Sequence, residues 1–470
     1  MKSRDPILRS FAATRARDPL APLVVSGSAA WSAQDLERAA ATLAERLGEG
    51  GFGAGDRVGL AAPAPAFLAG YLALRRLGAV PVLCDSVRPT PDRLSTLDRL
   101  GVVGFLACAT TWPGSPDDWD RNRRRPPRRA ETDPDWGAIK LSSGSTGEPR
   151  GIAVRAEALL ADDEQLATAM ELRAQDRLVS AVPLSHSYGF SSLLLPTLVR
   201  GSRLVVPEDR SPFAPLAAAR AHAASFLPTV PAWLGAYVRL ASPPPWPDSL
   251  RRIVSAGAPL APEVARGFRE RTGREVRVFY GASECGGIAY DREGDAAERG
   301  AVGAPVPGVR IEIEPASGRL TVRSPAVAET YLPEPGEDLV GGRFRSCDRA
   351  QLDGGEIRLL GRIDDQVIVR GRNVDPREIE RTLAELDGVE EVCVLGIDGP
   401  DGVKSLLRAV VAAPRGVVDY ERVVAFCRAR LAAHKVPRSV VVVAEMPRNE
   451  RGKVDRAALA ALGDETPLLQ

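Results

Sequence analysis

Hydrophobic positions in the first part of the chain alternate between helical and extended spacing. Ser32 and Asp35 form a capping-box pattern, and apolar residues then recur every three or four positions from Leu36 to Leu47, where Gly48 ends the predicted helix. Short apolar runs between such helical stretches are typical of buried strands, and they lie at 56–61, 79–83, 178–182, 204–206, 252–255 and 276–279. Strands that alternate with helices predict parallel sheets covered by helices on both faces, and hence an α/β fold.

The spacing changes near residue 300. Short strands punctuated by glycines, at 309–312, 318–322 and 355–360, predict a small β-rich unit. A separate α+β domain is predicted after Gly361, with helices at 376–386 and 419–433 and strands at 389–397, 406–412 and 440–443. We expect a large N-terminal domain over 1–362, with α/β subdomains over 1–300 and a β-rich subdomain over 301–362, followed by a smaller C-terminal domain over 363–470.

Length and composition narrow the function classes. A chain of 470 residues is too long for one compact core. Its formal net charge of +1 gives no general attraction to nucleic acid or to an anionic membrane. The six cysteines include no Cys-x-x-Cys pair and only three histidines are present, which argues against a disulfide framework or a structural zinc site. With no signal-like apolar run and no span of membrane length, we expect a cytoplasmic protein.

The segment from Leu141 to Ile152 carries the most specific chemistry. Its glycines free the backbone to aim N–H groups at one point, its hydroxyls add donors, and Arg150 adds a fixed charge, all of which suit a phosphate. It lacks the Gly-Lys-Ser/Thr ending of the common phosphate loop, so an ordinary phosphate-loop ATPase is disfavoured. Taken alone, it also fits a Ser/Gly surface turn. The candidate phosphate-binding residues are Ser142, Ser143, Gly144, Ser145, Thr146, Gly147 and Arg150.

Three further segments offer groups that suit a nucleotide. Tyr280 can stack on a base, Ser283 can donate to a phosphate, and Glu284 can hold a magnesium ion. The small-residue turn at 255–260 can form the other wall of a base pocket, and the carboxylate of Asp348 can accept hydrogen bonds from the vicinal hydroxyls of a ribose. The candidate residues of these segments are Gly257, Ala258, Pro259, Tyr280, Gly281, Ser283, Glu284 and Asp348.

In their order and spacing these segments resemble the motifs of the adenylate-forming (AMP-binding) superfamily. That superfamily includes acyl-CoA synthetases, aryl-acid ligases and the adenylation domains of peptide synthetases, and the resemblance covers the chain from its N-terminal helices to Arg456. It implies that the segment at 141–152 binds the phosphates of ATP, and that the turns at 255–260 and 280–284 enclose adenine. It also implies that the C-terminal domain is mobile.

The resemblance assigns roles to further residues. His186 corresponds to a side chain beside the acyl carboxylate, Arg362 to one that reaches the ribose or phosphate, and Asp364 to the interdomain hinge. Gly371 falls in the loop that approaches the pantetheine channel. Lys453 lies in the terminal motif, where a mobile ammonium bridges the substrate carboxylate and the α-phosphate and stabilises the transition state. The implied catalytic set is Lys453, His186, Thr146 and Glu284, with Glu284 as the magnesium ligand.

The activity that the resemblance implies is that of an acid–thiol ligase. ATP would activate a fatty or aryl acid to an acyl adenylate, and a thiol, by default coenzyme A, would then displace AMP. No carboxylate lies within 185–192 to pair with an ammonium, which argues against an amino-acid substrate. Two alternatives stay open. The acceptor could be the phosphopantetheine of a carrier protein. The chain could also be an impaired nucleotide-binding homologue, since Arg150 replaces the usual lysine and Cys347 replaces the usual glycine. Ile368 stands where many members carry a lysine, and this departure affects only the contact of that side chain.

Overall fold

The computed structural model of the chain divides into two compact units. It describes residues 4–85, 91–109, 119–123, 135–142, 150–363, 367–369, 372–374, 376–398, 404–448 and 454–462. The first unit comprises Met1–Ser346 with Gln351–Leu359, and the second comprises Cys347–Ala350 with Leu360–Gln470. Each unit has its own buried core.

The helices of the first unit alternate with strands, and a π-helical turn at Phe190–Leu194 separates α6 from α7. The helices are α1 (Pro6–Arg17), α2 (Ala33–Glu49), α3 (Ala64–Arg76), α4 (Pro91–Arg99), α5 (Ala156–Met170), α6 (Ser187–Gly189), α7 (Leu195–Arg200), α8 (Ala214–Ala221), α9 (Pro231–Arg239) and α10 (Pro262–Thr272).

The strands of the first unit begin near the N-terminus and continue to the hairpin β20–β21, which crosses the division between the units. The strands are β1 (Pro22–Ser26), β2 (Ala29–Ser32), β3 (Arg57–Ala61), β4 (Val80–Leu83), β5 (Gly104–Cys108), β6 (Trp119–Arg123), β7 (Trp136–Leu141), β8 (Gly151–Arg155), β9 (Arg177–Val179), β10 (Arg203–Val205), β11 (Phe226–Thr229), β12 (Arg252–Ser255), β13 (Val276–Ala282), β14 (Gly286–Tyr290), β15 (Ala304–Pro305), β16 (Arg310–Ile313), β17 (Arg319–Arg323), β18 (Thr330–Leu332), β19 (Leu339–Val340), β20 (Arg343–Asp353) and β21 (Glu356–Arg362).

Two large sheets and a smaller one organise these strands. One large sheet has the order β15-β14-β13-β12-β11-β9-β10-β1-β2, and the other has the order β18-β8-β7-β4-β3-β5-β6. The pairs β9–β10, β11–β12 and β12–β13 are parallel, as are β3–β4 and β4–β7. The small sheet, β16-β17-β20-β19 with β21 beside β20, is antiparallel where its register is described. The predicted parallel α/β layers and the later β-rich part are therefore confirmed.

Helix α2 shows how local sequence sets these elements. The backbone N–H of Asp35 donates to Ser32 Oγ at 3.2 Å, and the N–H of Ser32 donates to Asp35 Oδ2 at 2.9 Å, which is the predicted capping box. The apolar positions from Leu36 to Leu47 are buried against the core. The predicted end at Gly48 is wrong, because the helix continues to Glu49 and Gly50 caps it. A glycine within the last turn is tolerated where an apolar face is already packed.

The second unit is an α+β domain. Its elements are β22 (Val367–Val369), β23 (Arg372–Val374), α11 (Pro376–Ala384), β24 (Glu391–Asp398), β25 (Lys404–Ala412), α12 (Tyr420–Arg430), a 3-10 turn (Ala433–Lys435), β26 (Ser439–Val443) and α13 (Arg456–Ala461). Strands β24 and β25 pair antiparallel and β25 pairs parallel with β26. Across both units, the described helices include none that is both long enough and apolar enough to cross a bilayer.

Candidate functional site

The Ser/Gly segment connects the antiparallel strands β7 and β8. The N–H of Ser142 donates to the carbonyl oxygen of Arg150 at 2.8 Å, and the N–H of Arg150 donates to Ser142 Oγ at 2.9 Å. These two bonds hold Ser142 and Arg150, the residues that flank the segment 143–149, next to each other at the end of β7. Ser143, Gly144, Ser145, Thr146 and Gly147 themselves lie outside the described residues.

A tyrosine that the sequence analysis did not name joins this loop to Glu284. The guanidinium of Arg150 lies 5.6 Å from the centroid of the Tyr331 ring, a cation–π distance. The hydroxyl of Tyr331 donates to Glu284 Oε1 at 3.2 Å. Strand β18 supplies Tyr331 because it pairs with β8, with Tyr331 opposite Ile152. The loop cation and the candidate magnesium ligand are therefore held in one local cluster.

Glu284 lies in the tight turn between β13 and β14. Its carbonyl oxygen accepts the N–H of Ala328 at 2.7 Å, which fixes the turn against the segment before β18. Tyr280 and Gly281 lie on β13, where Tyr280 pairs with Ala289. Ser283 is in the turn itself, and all these residues are at the carboxyl end of β13, where ligands bind in α/β sheets.

His186 precedes the short helix α6, at the same end of the sheet. Its carbonyl oxygen accepts the N–H of Phe190 at 2.7 Å. The next residue, Ser187, has its Oγ 2.7 Å from Ser283 Oγ, and the Tyr188 hydroxyl donates to the carbonyl of Val254 at 2.8 Å. The predicted His186 segment and the predicted Ser283–Glu284 turn therefore touch, through a serine that the sequence analysis left unassigned.

The predicted base-pocket turn follows β12, the parallel neighbour of β13. Strand β12 ends at Ser255, and Gly257, Ala258 and Pro259 are exposed beyond it. Gly257 has a φ of +88°, a left-handed conformation that favours glycine. Because β12 and β13 are adjacent and parallel, this turn follows the carboxyl end of β12 next to the carboxyl-terminal part of β13, where Tyr280 is located.

Asp162 ties two further segments together beneath the hairpin turn. This α5 side chain is 1% exposed; its Oδ1 accepts the N–H of Gly287 at 2.9 Å and its Oδ2 accepts the Ser191 hydroxyl at 2.5 Å. Gly286 has a φ of +69°, and a Cβ there would lie 2.2 Å from Asp162 Oδ1. Only glycine lets the hairpin approach the carboxylate this closely.

A buried lysine, Lys140 on β7, completes the charged groups in this region. Burial lowers its pKa, while the nearby charges of Asp162, Cys285 and Glu284 act in the opposite direction. Burial also raises the pKa of the Cys285 thiol well above its usual value, which keeps that thiol protonated. The signal for Lys140 was present in the sequence, as a lone charge in an apolar strand; Tyr331 had no comparable signal.

Of the remaining predicted residues, two are described in the second unit. Arg362 Nη1 lies 3.9 Å from Asp348 Oδ1. Asp348, which is predicted to bind the ribose hydroxyls, is therefore next to Arg362, which is predicted to reach the ribose or a phosphate. The N–H of Ile363 donates to the carbonyl of Cys347 at 2.7 Å, which holds the two strand segments side by side. Asp364, Gly371 and Lys453 lie outside the described residues.

The described residues suit a magnesium ion that takes few of its ligands from the protein. Within the described ranges, no group of three or more His, Cys, Asp or Glu side chains is placed to hold a metal ion. A single held carboxylate, that of Glu284, suits a magnesium ion that takes its other ligands from substrate phosphates and water.

Models of known protein families match both the N-terminal and the C-terminal part of the chain. The model of the AMP-binding enzyme family matches residues 11–332, and the model of the AMP-binding enzyme C-terminal domain matches residues 378–453. A feruloyl-CoA synthase from Amycolatopsis sp is 29% identical over 486 residues, covering 95% of this chain and 97% of the relative.

Two solved structures resemble the whole chain. ATP-bound MatB from Rhodopseudomonas palustris superposes with a TM-score of 0.80 at 26% identity, covering 96% of this chain and 98% of MatB. O-succinylbenzoate coenzyme A synthetase (MenE) from Bacillus subtilis in complex with AMP has a TM-score of 0.82 at 22% identity, covering 97% of this chain and 98% of MenE, and it shows the shared fold.

Proposed function

Because the chain belongs to the AMP-binding enzyme family, as an enzyme of the AMP-forming acid–CoA ligase type, we propose that it converts a fatty or aryl acid to its thioester in two steps. The acid first attacks the α-phosphate of ATP, giving an acyl adenylate and releasing pyrophosphate. A thiol, that of coenzyme A, then attacks the acyl carbon and displaces AMP. Feruloyl-CoA synthase, an aryl-acid enzyme by name, supports both the acid class and the thiol.

The contact between Arg150, Tyr331 and Glu284 is the observation that most supports the first step. Phosphates bound along the Ser/Gly loop would contact the Arg150 guanidinium at one end of the loop. The Glu284 carboxylate, which the Tyr331 hydroxyl holds, belongs to the same cluster as that guanidinium. Magnesium on Glu284 would shield the negative charge of the phosphates. We assign the phosphates to Ser142, Ser143, Gly144, Ser145, Thr146 and Gly147 together with Arg150.

We propose that the nucleoside lies beyond the ends of β12 and β13. Tyr280 would stack on adenine opposite the Gly257–Pro259 turn, since an exposed small-residue turn leaves room for a flat ring. Ser283 would donate to the α-phosphate, held by the Ser187 hydroxyl 2.7 Å away. Asp348 and Arg362, adjacent in the second unit, would bind the ribose hydroxyls and a phosphate oxygen.

The acid carboxylate would lie beside His186, and Lys453 would act in the adenylation step. Two anions meet in the adenylation step, and the Lys453 ammonium would lower their repulsion as the new bond forms. We propose that 1–362 forms the adenylating domain, and that 363–470 turns about Asp364 after adenylation. This turn would withdraw Lys453 and bring the Gly371 loop toward the thiol.

Product analysis tests this proposal. The protein is incubated with ATP, magnesium and a panel of fatty and aryl acids, with coenzyme A, with a carrier protein bearing phosphopantetheine, or with neither. We expect AMP and an acyl-CoA in equal amounts from at least one acid. Thioester formation only on the carrier protein would replace coenzyme A as the acceptor, and ADP in place of AMP would overturn the proposed chemistry.

A further inference from the structure

Ser187 and Ser283 place two hydroxyls against each other at the candidate site. Ser187 begins α6, Ser283 lies in the turn between β13 and β14, and their Oγ atoms are 2.7 Å apart. Both residues are half-buried, so the pair is not sealed from a ligand. Each hydroxyl carries one proton, and the bond between them uses one of the two. Among the described residues no other hydrogen-bond partner engages either hydroxyl, so the second proton is available to a ligand.

The backbone of Ser187 is anchored by the side chains on both sides of it. The Ser185 hydroxyl donates to Asp85 Oδ1 at 2.9 Å, and the Tyr188 hydroxyl donates to the carbonyl of Val254 at 2.8 Å. Asp85 follows β4 in one large sheet, whereas Val254 lies on β12 in the other. The segment that carries Ser187 is therefore fixed to both sheets.

Close packing also fixes this segment against the hairpin. The centroid of the Tyr188 ring is 5.6 Å from that of Phe279 on β13, the strand that leads into the hairpin turn. On the other side, a Cβ at Gly189 would lie 2.0 Å from the carbonyl oxygen of Pro183, so only glycine lets the backbone fold back this closely. Packing on both sides therefore holds the two hydroxyls at hydrogen-bonding distance.

The hydroxyl of Ser283 needs such a partner if its proton is to act at one point. A serine side chain has three staggered orientations, and its proton rotates about the C–O bond. A donor at a fixed position selects the orientation in which Ser283 Oγ accepts, and the Ser283 proton then points away from that donor. Successive hydrogen bonds in one direction also strengthen each other. The opposite direction, from Ser283 to Ser187, would use the Ser283 proton within the pair.

We propose that Ser187 is a positioning residue for adenylation, which donates to Ser283 and thereby directs the Ser283 proton at the α-phosphate. This inference rests on the proposed function, in which Ser283 contacts that phosphate. It adds the direction of the hydrogen bond, and it adds that the effect of Ser187 passes entirely through Ser283. The free proton is assigned to Ser283 because that residue shares its turn with Glu284, the proposed magnesium ligand.

A double-mutant cycle tests this role. The kcat and KM of acid-dependent pyrophosphate exchange are measured for the wild type, Ser187→Ala, Ser283→Ala and the double variant, with an acid that the wild type accepts. We expect Ser187→Ala to lower kcat about tenfold and Ser283→Ala to lower it about a hundredfold. Where Ser283 is already alanine, Ser187→Ala should lower kcat by less than about twofold, because it has no hydroxyl left to position. Ser187→Thr keeps the hydroxyl and should retain most of the wild-type kcat.

A matched control removes a serine hydroxyl far from the candidate site. Ser202 precedes the amino end of β10, and its hydroxyl donates to the carbonyl of Arg173 at 3.2 Å. Ser202→Ala should leave kcat unchanged. If urea unfolding shows that Ser187→Ala does not fold, the cycle is run with Ser187→Cys, whose thiol is only a weak donor, and the same results are expected.

The possible outcomes separate this inference from the proposed function. An unchanged kcat in Ser187→Ala, while the wild type exchanges pyrophosphate, overturns the inference alone. Equal losses with and without the Ser283 hydroxyl would show that Ser187 does not act through Ser283, and they overturn it too. A loss confined to the KM for the acid would place Ser187 at the acid instead. No exchange by the wild type with any acid would overturn the proposed function, and this inference with it.

Discussion

Replacing Tyr331 by phenylalanine tests the contact that holds Glu284. The substitution removes the hydroxyl that donates to Glu284 Oε1 at 3.2 Å and keeps the ring beneath Arg150. A hydrogen bond to a charged group contributes about 1.5–3 kcal/mol. Because 3.2 Å is long for two oxygens, we take the lower end of that range, about 1.5 kcal/mol. Since about 1.4 kcal/mol corresponds to a factor of ten in an equilibrium constant, we expect the affinity for magnesium to be about tenfold weaker in Tyr331→Phe.

The assay is acid-dependent exchange of pyrophosphate into ATP across a series of magnesium concentrations. The concentration for half-maximal exchange would rise about tenfold, while the rate at saturating magnesium would fall by less. Tyr237→Phe is a matched control, because it also removes a tyrosine hydroxyl, which on α9 donates to the carbonyl of Pro244 at 2.9 Å. An unchanged magnesium dependence in Tyr331→Phe, or the same change in Tyr237→Phe, would refute the reasoning.

Three further predictions follow from particular residues. Lys453→Ala abolishes pyrophosphate exchange but leaves thioester formation from a supplied acyl adenylate largely intact; equal loss of both half-reactions would contradict its role. Gly286→Ala places a Cβ 2.2 Å from Asp162 Oδ1 at a φ of +69°, whereas Gly257→Ala, the control, has a φ of +88° and open space around the new Cβ. We expect Gly286→Ala to lower the free energy of unfolding in urea by about 2 kcal/mol more than Gly257→Ala does. Similar losses in the two variants would argue against the close approach. Burial outweighs the Arg200 guanidinium and raises the pKa of Asp163 from 3.8 to about 7, so the protonated form is favoured on folding. Stability therefore falls as pH rises from about 4 through 7, and Asp163→Asn flattens this dependence in urea unfolding at pH 5 and pH 8; an unchanged slope would show that other groups set it.

The layers of the fold were predictable because each element carries its own signal. The Ser32–Asp35 box and the apolar repeat of α2 fix a helix locally, and short apolar runs between helices imply parallel strands. The end of α2 was not predictable from Gly48, because tertiary packing carries the helix past a residue that is unfavourable in isolation.

The candidate site was predictable only in part. Glycine and hydroxyl patterns identify segments such as 255–260 and 280–284, because each segment carries its chemistry locally. Tyr331 and Asp162 join such segments across more than a hundred residues of sequence, through strand pairing and helix packing that periodicity does not record. Roles given to residues outside the described ranges, Lys453 above all, stay predictions.

The most direct test of the account is exchange of labelled pyrophosphate into ATP in the absence of any thiol. Formation of an acyl adenylate requires this exchange to depend on both a carboxylic acid and magnesium. We predict exchange with at least one acid from a broad panel of fatty and aryl acids, and none when the acid is omitted. Tight binding of ATP without exchange for any acid in the panel would contradict the claim that this chain adenylates carboxylic acids.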